Sequence, residues 1–225
     1  MKKKLWNFCR RVLSILLNLA VVWMEPTAAR LSWEAVGTQM FTFYTENSNF
    51  FTAGVCLLMA LFQLKALLTG REIPLWVKRL KFIATCCLTM TFMTVVLVLA
   101  PYCQEEGGVV FLLTASSMLY HHLLNPLCAF VSFVFLEREP RLSGRNVFCA
   151  LIPTLLYGSI AVYANVRRWI AGPYPFLLVY EQSIRQSAEW LVAIVCMNLL
   201  YAWLVWKAGG NGKKKHPGLL FRKTA

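Results

Sequence analysis

Acidic residues are scarce in this sequence. Its 225 residues contain no aspartate and only ten glutamates, against 23 lysines and arginines, and charged residues make up 15% of the chain. A soluble domain of this length needs more charge on its surface, whereas 58% of these residues are hydrophobic. The composition therefore argues against a soluble protein and favours one integral membrane domain.

Paired cysteine motifs are also missing. The eight cysteines form no CxxC pattern with histidine partners, and most of them stand inside apolar stretches. Zinc sites and disulfide frameworks depend on such spacing. We therefore expect buried thiols, no metal and no cofactor, with membrane lipids rather than nucleic acid as partners.

No long polar insertion interrupts the chain. A hydrocarbon layer about 30 Å thick needs about 20 apolar residues per helix. Six segments meet this requirement: 8–24, 41–68, 80–100, 109–136, 147–164 and 184–206. We predict an all-α fold, a six-helix transmembrane bundle in residues 1–206 with a basic tail in residues 207–225. The first segment also has the basic start and apolar centre of a signal peptide, whose removal would leave five spans.

Basic residues alternate between the two sets of connections. They are concentrated before the first span, in the loops 71–81 and 137–145, and in the tail, whereas the other three loops hold few of them. By this pattern Lys78 and Lys81 belong to a loop. The positive-inside rule then predicts a multi-pass protein of the plasma membrane with both termini in the cytoplasm.

A polar stripe runs along the second predicted span. Its members are spaced 4, 3, 4, 3 and 4 residues apart, which keeps them on one helical face: Thr38, Thr42, Thr45, Asn49, Thr52 and Cys56. The opposite side carries phenylalanine and leucine, which suit lipid. The stripe therefore faces the bundle, either for helix–helix hydrogen bonding or as part of a site.

The fourth predicted span contains two adjacent histidines. His121 shares a polar face with Asn125, while His122 points about 100° away. Pro126 lacks an N–H group, so the carbonyl of His122 loses its helical partner. An ionisable group beside such a break is typical of a cavity, and this favours a functional site here.

Polar faces on three spans are predicted to reach one depth. Thr45 and the histidines meet there with Gln182, Gln186 and Glu189, which are spaced 4 and 3 residues apart at the start of the last span. A hydroxyl, an imidazole and a carboxylate are the parts of an activated nucleophile, and equally of a proton relay.

Three motifs resemble those of a known family. They are YTENSN at 44–49, HHLLNP at 121–126 and GPYPFL at 172–177. In order and interval they resemble the androgen-induced protein family, which includes the androgen-dependent regulators of tissue factor pathway inhibitor, and its small bacterial six-span relatives. The likeness spans residues 41–206. Glu46 and Pro173 depart from the pattern, since they replace an apolar and an aromatic residue.

The resemblance implies intramembrane hydrolysis of lipid esters, specifically fatty-acid esters of hydroxy fatty acids, by a threonine with a histidine partner. Thr45 would be the nucleophile. In the family motif a histidine precedes a proline by a few residues. If three residues lie between them, the partner of Thr45 is His122; if four lie between them, it is His121. The choice stays open.

The other candidate residues complete this hypothesis. Glu189, or second to it Glu46, would orient the imidazole. Asn49 or Ser48 would donate hydrogen bonds to the oxyanion. The remaining substrate-site residues are Asn125, Tyr174 and Phe176, the last two in a loop that acts as a lid or as an aromatic interface anchor.

Two alternatives belong to other classes. One is a proton-linked carrier or sensor that uses His121, His122, Glu189 and Glu46. The other is a structural membrane protein whose polar stripes only pack helices together.

Overall fold

The computed structural model describes residues 2–211, and these contain helices and no strand. The expected all-α class is confirmed. The helices are α1 Lys2–Val36, α2 Tyr44–Thr69, α3 Leu75–Thr94, α4 Gly108–Thr114, α5 Leu119–Leu136, α6 Asn146–Val166 and α7 Ile184–Ala208. All except α4, with their adjoining turns, are long and apolar enough to cross a membrane. Most of the predicted basic tail, residues 212–225, lies outside the described part.

Short connections make successive long helices run in opposite directions. The start of α1 and the end of α7 therefore lie at one end of the bundle, together with the loops 70–74 and 137–145. We call this the terminal end. Beyond α3 the helical path continues as π and 3₁₀ turns to Glu106. The segments 37–43, 107–118 and 167–183 lie at the other end, which we call the loop end. The apolar core is largest towards the terminal end, where the rings of Phe82 and Phe133 lie 5.7 Å apart.

Helix α1 is longer than the sequence predicted. The expected span ended at residue 24, yet the helix continues through Pro26 to Val36. One face of it is buried along most of its length, with a spacing of 4, 3, 4, 3 and 4 residues: Ser14, Asn18, Val21, Glu25, Ala28 and Ser32. Packing of this face stabilises the helix across the proline. Glu25, expected in a loop, therefore lies inside the bundle.

The assignment of Lys78 and Lys81 to a loop is wrong. Helix α3 begins at Leu75, directly after Pro74, and both lysine side chains are fully buried. Lys81 Nζ donates to Asn18 Oδ1 at 2.7 Å and to Cys56 Sγ at 3.1 Å. Lys78 Nζ lies 3.8 Å from the centre of the Phe133 ring. A hydropathy scale places these two lysines outside the membrane span. Contacts with other helices compensate for the burial of their charges.

The fourth predicted span is two helices. Residues 115–118 separate α4 from α5, and Ser116 in this break has a positive φ of 46°. Beyond the break, α5 begins with wider π-helical turns at Leu119–Leu124, the segment that carries both histidines. Such turns are frequent at functional sites. The break also brings α4 back against the start of α5.

Candidate functional site

The imidazole of His121 lies between two carboxylates. Its Nε2 is 3.4 Å from Glu25 Oε1, and its Nδ1 is 3.8 Å from Glu46 Oε1. Ser32 donates its hydroxyl to Glu46 Oε1 at 3.2 Å. The three ionisable groups come from α1, α2 and α5 and are all buried. Both carboxylates therefore lie within ion-pair distance of the same ring.

Two asparagines support this cluster from behind. Asn125 Nδ2 donates to Glu25 Oε2 and to Asn49 Oδ1, both at 3.0 Å. Asn49 Nδ2 donates in turn to the carbonyls of Thr45 at 2.9 Å and His121 at 3.2 Å. Both side chains are fully buried, so these amides tie α1, α2 and α5 together.

His122 has a different environment from its neighbour. Its Nδ1 lies 2.6 Å from the carbonyl oxygen of Leu112. Leu112 belongs to the last turn of α4, where carbonyls lack a helical partner. Because a carbonyl can only accept, the ring donates through Nδ1. In the neutral imidazole Nε2 is then the unprotonated nitrogen, with the lone pair that a general base needs.

One cavity collects most of the predicted chemistry. It lies at the loop end and has a volume of about 330 Å³. The reactive side chains in its wall are Thr45, Glu46, His121, His122 and Tyr174. The predicted meeting of the second and fourth spans at one depth is therefore present in this cavity, but the Tyr174 loop takes the place predicted for the start of the last span.

Thr45 lies in the first turn of α2, where backbone N–H groups have no helical partner. Its N–H donates to the hydroxyl of Tyr174 at 3.4 Å, and its Oγ1 lies 3.5 Å from the same hydroxyl. Within residues 2–211, Thr45 Oγ1 makes no hydrogen bond to His121 or His122. Burial raises the pKa of Tyr174 to about 12, so its phenol is neutral and can donate. Phe176 stacks on this ring with 5.1 Å between the centres.

Two apolar spaces lie near the start of α2. A small pocket of about 70 Å³ shares the Thr45 and Tyr174 walls and reaches Trp190 on α7. A larger groove of about 700 Å³ runs between α2, α3 and α6, and Ser48 lies in its wall. Helix α6 buries few of its side chains, so the groove has an open flank. Both spaces have an apolar lining, and the groove also has the volume usual for a ligand site.

Two predicted residues have other partners. Ser48 Oγ donates to the Thr45 carbonyl at 3.0 Å and lies 3.2 Å from Thr91 Oγ1. Glu189 is exposed and accepts from Arg185 at 2.8 Å, so it is separate from the cavity. The carboxylates beside an imidazole are those of Glu46 and Glu25. The sequence reasoning missed Glu25, although its spacing with Ser32 and Asn18 was a signal.

A second polar cluster lies towards the terminal end. Asn18 links the two charged residues of this cluster. Its Oδ1 accepts from Lys81 at 2.7 Å, and its Nδ2 donates to Glu137 at 2.6 Å. Ser14 donates to the same Glu137 oxygen at 2.9 Å. All four residues are buried. Opposite charges thus compensate one another inside the bundle.

Comparison with protein-family models, with curated proteins and with solved structures finds no match to this chain. Function must therefore be argued from the geometry of the two clusters and their cavities.

Proposed function

We propose that this chain is an intramembrane hydrolase of lipid esters with Thr45 as its nucleophile. The observation that carries the proposal is the shared cavity, which both Thr45 and His122 line, together with the bond to Leu112 that leaves Nε2 of the neutral His122 ring unprotonated. The likeness to the androgen-induced protein family supports the same pair of residue types. The apolar groove lined by Tyr44 and Ser48, the sequence neighbourhood of Thr45, suits an acyl chain, and its open flank at α6 suits entry from lipid.

The reaction begins when the ester displaces the Tyr174 hydroxyl from Thr45 Oγ1. His122 Nε2 takes the hydroxyl proton while Oγ1 bonds to the carbonyl carbon of the ester. The tetrahedral intermediate then expels the alcohol, which takes the proton from His122. Water hydrolyses the acyl-threonine in the same way and releases the fatty acid.

Two hydrogen-bond donors stabilise the negatively charged oxygen of the tetrahedral intermediate. They are the hydroxyl of Tyr174 and the backbone N–H of Thr45, which the structure places within 3.4 Å of each other. The N-terminus of α2 adds its dipole. Asn49 and Ser48, the donors expected from sequence, are committed to carbonyls and act as supports. His121 with Glu25 and Glu46 is then a positioning and electrostatic group.

Covalent labelling tests the nucleophile. Purified protein is incubated with a fluorophosphonate probe, and the modified residue is located by mass spectrometry. We expect the probe on Thr45, no labelling of Thr45→Ala, and unchanged labelling of the control Thr89→Ala, whose hydroxyl is bonded to a carbonyl of α3. Equal labelling and equal turnover of a lipid ester by Thr45→Ala would refute the proposal.

Replacing Tyr174 tests the oxyanion donors. We expect Tyr174→Phe to lower kcat about 100-fold with little change in KM, since loss of one such donor costs about 10²–10³ in rate. With the pKa of Tyr174 raised to about 12 by burial, its hydroxyl stays protonated as the pH rises through the ordinary tyrosine value. The wild-type rate should therefore not fall between about pH 8 and 10. A kcat–pH profile of both proteins measures this.

The buried charges favour a second candidate function, a proton-linked carrier. Glu25, His121 and Glu46 form one titratable cluster, and Lys81 with Glu137 forms another nearer the terminal end. Ionisable groups inside a helical bundle are typical of proton pathways. Proteoliposomes with a pH-sensitive dye test it: a proton flux that His121→Gln abolishes and Thr45→Ala leaves unchanged would favour the carrier.

A further inference from the structure

A cavity at the terminal end is separate from the proposed catalytic site. Its volume is about 420 Å³, within the usual range of ligand pockets, about 300–1,000 Å³. It opens between the start of α1, the end of α2 and the two loops of that end. The charged and amide side chains in its wall are Arg10, Arg11, Gln63, Glu72, Glu139 and Arg141.

Two cationic groups in and beside this cavity have donors without acceptors. Arg10 Nε is shielded from solvent and has no hydrogen-bond partner among residues 2–211. Lys78, beside the cavity, is fully buried; among the described residues its Nζ has no hydrogen-bond acceptor, but it stands over the Phe133 ring and interacts electrostatically with Glu137. The other two cations of the wall have partners: Arg11 Nη1 donates to Gln63 Oε1 at 2.9 Å, and Arg141 Nε lies 3.5 Å from Glu139 Oε1. A shielded guanidinium donor without an acceptor in the wall favours an anion as the ligand of this cavity.

We propose that this cavity binds a phosphodiester group carrying one negative charge. Guanidinium groups bind phosphate through paired N–H donors, and three of them line the wall. The carboxylates of Glu72 and Glu139 leave an excess of one positive charge in the lining, which a phosphodiester neutralises. The cavity lies at the ends of apolar helices, the depth of lipid headgroups, so an anionic phospholipid is the natural source. A soluble phosphate ester has the same chemistry.

Binding measurements in neutral detergent test the site without any enzyme assay. Wild type and Arg10→Gln/Arg141→Gln are titrated with phosphatidylglycerol and, separately, with inorganic phosphate, and binding is followed by native mass spectrometry and by the thermal unfolding midpoint. The matched control is Arg71→Gln/Arg79→Gln, which removes two exposed arginines from the same end. Gln63→Glu is a second cavity variant that keeps Arg11 paired and repels the phosphate.

We expect phosphatidylglycerol to raise the midpoint of wild type and control, and both cavity variants to weaken its binding about tenfold or more, since each charged hydrogen bond contributes about 1.5–3 kcal/mol. Competition by inorganic phosphate at equal concentration would identify a soluble ester as the ligand, and its absence would identify the headgroup. Equal affinities of wild type, control and both cavity variants for both ligands would overturn the proposal. These measurements do not involve turnover, so a negative result leaves the hydrolase proposal unaffected. A negative result in the hydrolase tests likewise leaves the phosphodiester site unaffected.

Discussion

Lys81→Met is expected to lower the free energy of unfolding by about 3–5 kcal/mol, the usual cost of removing one partner from a buried pair of charges. Lys81 is fully buried in α3, and its charge balances that of Glu137 through the amide of Asn18. Methionine fills a similar volume, so lost packing contributes little. The remaining Glu137 carboxylate would stay in the bundle without a compensating charge.

The double variant Lys81→Met/Glu137→Gln identifies the cause. It removes both charges and keeps an acceptor for Asn18 and Ser14, so most of the lost stability should return. Lys65→Met is the control, because this lysine is exposed on α2 and its replacement should change stability by less than about 0.5 kcal/mol. Unfolding in mixed detergent micelles measures all four proteins. A double variant less stable than Lys81→Met would show that the charges of Lys81 and Glu137 do not compensate each other.

The sequence predicted which spans meet better than it predicted the buried charges between them. Periodicity placed Thr45 on an inward face, and alternating topology brought it to the depth of His121 and His122. Both features depend only on helix geometry, which a single sequence shows. The same reasoning predicted six helices able to cross a membrane, and these are present. Orientation of the termini stays a prediction.

The failures concern residues whose position depends on partners elsewhere in the chain. Glu25, Lys78 and Lys81 were assigned to loops because a charge ends an apolar window, yet each has partners on other helices. Glu189 was placed near the histidines by spacing alone. Its helix begins with a capping box of Ser183 and Gln186, which uses those polar groups locally. The sequence spacing of residues shows which side of a helix they share. Only the packed structure shows which residues that side contacts.

Substitution of the two histidines is expected to have different effects. His122→Gln should lower kcat about 10²–10⁴-fold, the usual contribution of a general base, with KM little changed. Glutamine can still donate to the Leu112 carbonyl, so the local fold is kept while the basic nitrogen is lost. Steady-state kinetics on a lipid ester measure this effect.

His121→Gln is the matched control. Both nitrogens of His121 face carboxylates, so this ring has no free base for Thr45. Its replacement removes a buried ring that contacts Glu25 and Glu46, and the protein should lose stability. Turnover by the folded fraction should stay within about tenfold of wild type, well above the loss expected for the base.

Chemical rescue separates base catalysis from a structural effect at position 122. His122→Ala opens space in a cavity that already has about 330 Å³, and added imidazole can occupy it. If His122 Nε2 is the base, imidazole should restore part of kcat for His122→Ala, and none for Thr45→Ala, which lacks the nucleophile. Rescue of His121→Ala but not of His122→Ala would reverse the two roles. The fold favours His122 as the base, because the break before α5 places an unpaired carbonyl of α4 against its ring and so fixes which nitrogen is free.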